Sequence, residues 1–201
     1  MDLTWLWDNF VQNVTLGWWL GLLWLIGYNG IGHLTKKRAK VLPDNWITAP
    51  DKRIPHFEPV FDVFYCLGWW IAIYPLFFIE DRDLAIVVIA SYGVTLVISF
   101  IIFLAKPIKI ERPPAKHLIM KVVQRFDSPS NCLPSVHCSM AVLPFLVSVA
   151  AARPEWPVVG AVAFGVCAST VFTKQHYLID SITGILLAVV VFAGLYLVVM
   201  I

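Results

Sequence analysis

The sequence predicts an all-α, polytopic membrane protein, a bundle of six transmembrane helices forming a single domain over residues 1–201. Three observations carry that prediction. Of the 201 residues, 59% are hydrophobic and 14% are charged, and mean hydropathy is +0.77; a soluble domain is nearer to about 45–50% apolar and about 25% charged. Six stretches approach the roughly 20 apolar residues that a spanning helix needs. Three of the five joins between them are too short to be more than turns, which makes the helices they link antiparallel neighbours.

The first stretch, 11–34, holds Asn29 and His33 near its end; the second, 60–79, begins beside Glu58 and Asp62. The third, 84–105, and the sixth, 177–200, are the cleanest, with no charge from Leu84 to Ala105 or from Ile182 to Ile201. The fourth, 135–152, carries His137 at its start and Pro144 inside, where a kink is expected. The fifth, 157–175, runs out into Lys174 and His176. Long polar links cover 35–56 and 106–134. The N-terminus does not read as a secretory signal, since it carries Asp2 and Asp8 and no basic residue before Lys36. Trp5, Trp7, Trp46 and Trp156 fall near helix ends, as interfacial anchors do. The basic run Lys36 to Lys40 is expected at lipid headgroups.

Fifteen Lys and Arg against thirteen Asp and Glu leave a net charge of +2, so no basic field for nucleic acid exists and none is expected as a partner. Four cysteines (Cys66, Cys132, Cys138, Cys167) are too few and scattered for a disulfide scaffold. No H-E-x-x-H and no EF-hand loop is present, and Cys132, His137 and Cys138 are poorly spaced for zinc, so neither metal nor cofactor is expected.

Ionisable residues at membrane depth are costly and point to function. One cluster runs from Lys106 through Lys109 and Arg112-Pro113, then from Asp127 to Pro134-Ser135-Val136-His137; a second runs from Ser169 to Asp180. His176 and Asp180 are four apart, so on a helix they share a face, and the carboxylate would fix the imidazole tautomer. A polar pair that only ties helices together would read the same way. Ser135 before an apolar run reads as a helix N-cap, whose free backbone N–H groups bind anions. With His137 in the first turn and Lys106, Lys109, Arg112 and Lys174 on the same side of the bundle, the combination describes a phosphate site.

In order, Arg112-Pro113, Pro134-Ser135-Val136-His137 and His176-x-x-x-Asp180 resemble the signature motifs K-x6-R-P, P-S-G-H and S-R-x5-H-x3-D of the type 2 phosphatidic acid phosphatase (PAP2) superfamily. The stretches Asp127–His137 and Thr173–Asp180 look most like a branch related to inositol-phosphorylceramide synthases. Lys106 stands one residue too close to Arg112, so Lys106 or Lys109 serves the first motif; Val136 replaces glycine; Thr170 replaces arginine, and Lys174 is expected to supply that cation. The resemblance implies a metal-independent lipid phosphate phosphatase: His176 attacks phosphorus, Asp180 orients it, and His137 is the acid and then the base. Arg112, the lysines, and the amides of Ser135 and Val136 hold the phosphate. A lipid phosphotransferase using a lipid hydroxyl in place of water shares every residue, and a channel or transporter on the same helices is the non-enzymatic alternative. The expected partners are a phosphorylated lipid and the surrounding membrane lipids.

Six spans would place both termini and the joins at 80–83 and 153–156 on one side, with the two long links and the turn at 174–176 on the other. Two Lys or Arg residues (Arg82, Arg153) then face thirteen. The positive-inside rule puts the motifs in the cytoplasm and the termini outside.

Overall fold

The computed structural model describes residues 3–201, so Asp2 lies outside it, and helix accounts for 72% of the chain. The first helix is longer than expected. Helix α1 (Leu3–Leu22) continues through a π-helical segment, Leu23–Tyr28, into α2 (Asn29–Thr35), giving 33 continuous residues that begin well before position 11. Its two buried residues between Leu3 and Leu22 are Asn9 and Asn13, while Trp7, Trp18 and Leu22 face outward. That inside-out pattern fits a helix bathed in lipid, where apolar side chains gain nothing by turning inward. The Asn13 amide donates to the carbonyls of Leu76 and Ile79, both at 2.9 Å. These carbonyls become available because the second stretch is not one helix: α4 (Phe61–Ile71) stops, and a 3-10 turn at Tyr74–Phe77 follows, with Pro75 near its start. Proline lacks the N–H that would have continued α4.

The remaining stretches form close to where apolar content places them. Asp81 caps α5 (Arg82–Ala105) by accepting from the Leu84 amide, and Ser135 caps α7 (Val136–Ala150) by accepting from Cys138. A short helix α6 (Leu118–Phe126) lies within the second long link, and helices α8 (Trp156–Phe172) and α9 (Leu178–Met200) complete the set. The helix Leu3–Thr35, α5 and α9 are long and apolar enough to cross a membrane. The other apolar helices are shorter, at 11, 15 and 17 residues for α4, α7 and α8. At 1.5 Å per residue even α8 covers only about 25 Å of a hydrocarbon core near 30 Å.

Helix α7 is central and packs on α4, α5, α8 and α9. Its Leu143 and Val147 meet Val87, Val88 and Tyr92 of α5 and Ala188 and Phe192 of α9. The two long links, expected as loops, are joined by a short parallel pair, β1 (Lys40–Val41) with β2 (Ile108–Lys109), in register Lys40 to Ile108. A third connection meets them through α3 (Ala49–Arg53), where Asp51 accepts from the Leu178 amide at 2.8 Å. The motif-bearing segments are thereby gathered at one end of the bundle.

That end depends on a close approach of α7 to α9. The Ser135 amide donates to the Asp180 carbonyl at 2.9 Å, and Ser139 Oγ donates to the Gly184 carbonyl at 2.8 Å. A Cβ on Gly184 would collide with the Ser135 backbone carbonyl, which has no rotamer through which to give way. Gly184→Ala is expected to cost about 1–3 kcal/mol or more by overpacking. Gly194→Ala on the same helix meets open space and is expected to be neutral or stabilising. Apparent melting temperatures of the two variants in detergent check this.

Candidate active site

The start of α7 and the turn before α9 form the centre of the site. Ser135, as N-cap, leaves the Val136 and His137 amides without a backbone acceptor among the described residues, the arrangement that favours anions. The Val136 side chain turns away, into an apolar cluster with Tyr28, Leu96, Phe100 and Phe103. His137 and His176 are both buried and face each other with ring centroids 6.2 Å apart.

His176 is not on a helix, contrary to the shared-face expectation. Helix α8 ends at Phe172, Lys174 takes the left-handed conformation at φ 56°, and the chain reverses before α9 begins at Leu178. The Gln175 and His176 amides both donate to the Thr170 carbonyl at 2.9 Å. That turn still brings His176 Nδ1 to 3.6 Å from Asp180 Oδ2, which also accepts from the Tyr177 amide at 3.0 Å and so caps α9. The pairing with Asp180 is therefore made across a helix start, and the imidazole edge that remains for a substrate is Nε2.

Arg112 lies in a buried ion pair that its sequence neighbours do not announce. Its Nη2 is 2.9 Å from Asp127 Oδ2, and the guanidinium also donates to the carbonyls of Asp127 and Ser128. Burial opposes the Asp127 charge, but the Arg112 guanidinium and His137 outweigh it and hold the carboxyl below its ordinary value. Asp127 accepts from Tyr28 Oη at 2.6 Å, and Tyr65 Oη stands 3.5 Å from Asp127 Oδ2 and 3.3 Å from His137 Nδ1. The π-helical segment of the first helix shifts the phase of its face and ends on Tyr28. Buried polar atoms without a hydrogen-bond partner among the described residues include Arg112 Nε, His137 Nε2, His176 Nδ1 and Asp180 Oδ1. Such atoms are rare in folded proteins and are usually satisfied by water or ligand.

The expected lysines are dispersed. Lys106 Nζ sits over the Trp46 ring at 4.9 Å, Lys109 is in β2, and Lys174 Nζ donates to the Asp51 carbonyl at 2.9 Å. Burial lowers the Lys174 ammonium's proton affinity more than Asp51 raises it. Thr170, standing where the family arginine would, donates to the Cys167 carbonyl and contacts Ser181 Oγ at 3.1 Å. Lys174→Gln keeps a donor for Asp51 and removes the charge. It is expected to stay within about threefold of wild-type activity, a hydrogen bond being worth about 1 kcal/mol; a loss matching that of Arg112→Met would identify Lys174 as the missing motif cation.

Two further features escaped the sequence reading. Glu58 accepts from the Lys116 and His117 amides and pairs with His56 at 2.9 Å, clamping the link after Arg112. An apolar groove of about 560 Å³ lies among α1, α4, α5 and α7, lined by Val14, Trp18, Trp24, Trp69, Leu96 and Met140. Trp69 of this lining also meets the His137 ring in a T-shaped contact with centroids 4.7 Å apart, so one side chain separates the groove from the buried imidazole. Burial pushes the Cys132 thiol up to about 12, and its Sγ donates to the Pro129 carbonyl.

No curated protein and no solved structure matches the chain. The family model described as PAP2 superfamily matches residues 81–200, which takes in Arg112, Asp127, His137, His176 and Asp180 and leaves out Tyr28 and Tyr65. With more than half of its length matched, and with the three motif segments folded around one pair of facing imidazoles, this chain belongs to the PAP2 superfamily.

Proposed function

We propose that this membrane protein is a lipid phosphate phosphatase that works through a phosphohistidine on His176 and needs no divalent metal. The observation that carries the reading is the pair of facing imidazoles 6.2 Å apart, one backed by Asp180 and the other packed on Trp69, which lines an apolar groove. His176 Nε2 attacks phosphorus, and Asp180 steadies the imidazolium that forms. His137 protonates the leaving alkoxide, then takes the proton of the incoming oxygen. Arg112, through its free Nε edge, and the Val136 and His137 amides meet the phosphoryl oxygens. Lys106, Lys109 and Lys174 border this end of the bundle and supplement its positive potential. The groove supports a lipid substrate, since its lining is apolar and a hydrocarbon chain lying in it would bring its headgroup to His137.

A lipid hydroxyl in place of water turns the same phosphoenzyme into a phosphotransferase, the reading favoured by the likeness of Asp127–His137 to inositol-phosphorylceramide synthases. Purified protein incubated with phosphorylated lipids, with and without lipid alcohols, separates the two by whether phosphate is released or transferred. Loss of activity on chelation, restored by magnesium, would overturn the metal-free mechanism.

All six apolar helical segments cross the membrane in this reading, the shorter ones completed by flanking turns, with the site in the cytoplasm and the termini outside. The link at 35–56 alone supplies six Lys and Arg residues that serve no catalytic purpose. With the native cysteines replaced, Ala39→Cys is expected to be shielded from an impermeant thiol reagent in intact cells and Asp83→Cys to be labelled. The reverse pattern would put the site outside.

A further inference from the structure

We propose that Tyr65 and Asp127 form a relay that fixes the tautomer of His137, which makes both of them positioning residues for its acid–base step. The proposal rests on the phosphohistidine reading above and assigns work to Tyr65, which lies outside every motif segment, and to Asp127, which lies ahead of Pro134-Ser135-Val136-His137 and to which the motifs give no role. Tyr65 is wholly buried on α4, its ring 4.2 Å from the His137 ring, and Trp69 closes the adjoining side. The imidazole is thus gripped in one orientation, with Nδ1 toward Tyr65 Oη at 3.3 Å and Nε2 without a partner among the described residues.

The direction of the hydrogen bonds follows from which acceptor is stronger. Tyr65 Oη has two neighbours that can take its proton, Asp127 Oδ2 at 3.5 Å and His137 Nδ1 at 3.3 Å. Were the phenol to donate to Nδ1, its lone pairs would face the Asp127 carboxylate with no proton between them. Donating to the carboxylate leaves the phenol oxygen free to accept from Nδ1–H, and every contact is then attractive. Both distances are long for such bonds, as is common before a substrate draws a site together. Asp127 is kept in place and ionised by Arg112 and Tyr28, so the acceptor at the end of the relay is constant.

With Nδ1–H committed to Tyr65, only Nε2 exchanges protons with substrate. In the first half-reaction the bond from His176 Nε2 to phosphorus forms as the phosphorus–oxygen bond to the alcohol breaks. The His137 Nε2 proton goes to that oxygen. In the second half, water or a lipid hydroxyl attacks phosphorus and yields its proton to the same Nε2. The electron pair of the breaking nitrogen–phosphorus bond returns to His176. Asp127, acting through Tyr65, compensates the imidazolium present before the first proton transfer and after the second.

Leaving-group dependence separates this role from a structural one. An alkyl phosphate needs a proton on its leaving oxygen, whereas p-nitrophenolate leaves without one. Tyr65→Phe is expected to lower kcat on a soluble alkyl phosphate about 10²-fold with KM little changed, while phosphohistidine formation from p-nitrophenyl phosphate in rapid-quench single turnovers stays within about threefold. Asp127→Asn is expected to show the same selectivity with a raised KM, because Arg112 loses its partner. Nitrogen-15 NMR of histidine-labelled wild-type protein, taken with the His137 ring neutral, reads the tautomer with no variant at all, and Nδ1–H is the expected form; the acid step starts from the imidazolium, which carries a second proton on Nε2. Equal losses on both esters, no loss on either, or an Nε2–H neutral tautomer would overturn the relay and leave the phosphohistidine standing. A wild-type enzyme that traps no phosphohistidine would overturn the underlying reading, and the relay with it.

Discussion

His176→Ala is expected to lower turnover by about 10⁴-fold or more, the scale on which loss of a nucleophile is felt. No acid-labile, base-stable phosphate should then be trapped on the protein. The substitution tests chemistry and leaves the fold intact, because the turn is held by the His176 backbone amide on the Thr170 carbonyl, which alanine retains. Among the described residues the ring makes no hydrogen bond through Nδ1. Asp180→Asn is the companion variant. Its side-chain carbonyl still accepts from the Tyr177 amide and caps α9, but it presents no negative charge to the imidazolium. A loss of about 10²–10⁴-fold is expected, by analogy with the carboxylate that orients histidine in serine proteases. Wild-type turnover in His176→Ala, measured as phosphate released or transferred, would remove the mechanism altogether.

The sequence carried the elements whose determinants are local. Uncharged apolar runs placed α5 and α9 within a few residues of their ends, and a serine before an apolar run marked the start of α7. It placed the second helix poorly, because a composition window spanning 60–79 stays apolar across Pro75 while the backbone does not. It paired His176 with Asp180 by helical spacing while also placing a turn at 174–176, and spacing alone cannot register that Lys174 takes a positive φ, so that the pairing is made across the start of α9. The motif residues came together as expected at the level of the two histidines, Ser135 and Asp180. What stayed hidden is non-local. Tyr65 meets His137 across 72 positions and Tyr28 meets Asp127 across 99, and no periodicity spans such separations. Asp127 stood within the polar cluster, but that it neutralises Arg112 is decided by how the 106–134 link folds back on itself. The surroundings of Lys106 and Lys174, over Trp46 and on the Asp51 carbonyl, were hidden too, because charge and proximity in sequence do not say what each ammonium touches.

Arg112→Met is expected to act on stability and catalysis through separate routes, and the Asp127 partner tells them apart. Removing the guanidinium leaves a buried carboxylate uncompensated, which costs about 3–5 kcal/mol. The double variant Arg112→Met/Asp127→Asn removes both charges and keeps an acceptor for Tyr28 Oη, so it is expected to recover most of that stability. Its kcat/KM should remain about 10²–10³-fold below wild type, since neither variant offers the phosphoryl group a cation. Acid adds an independent check whose sign follows from the pair. In the wild type, Asp127 is held below its ordinary carboxylate value, near about 3.9. Its contribution is therefore complete above that pH and is lost as pH falls through the lower folded value. In Arg112→Met the largest influence opposing burial is gone, and the Asp127 carboxyl rises relative to the wild type even though Tyr28 and His137 remain beside it, so the variant takes up a proton at a higher pH than the wild type does. Lowering pH from 7 toward 4 is thus expected to narrow the gap in apparent melting temperature between the two proteins in detergent. A gap that stays constant over that range would mean that Asp127 does not bear the cost of losing Arg112.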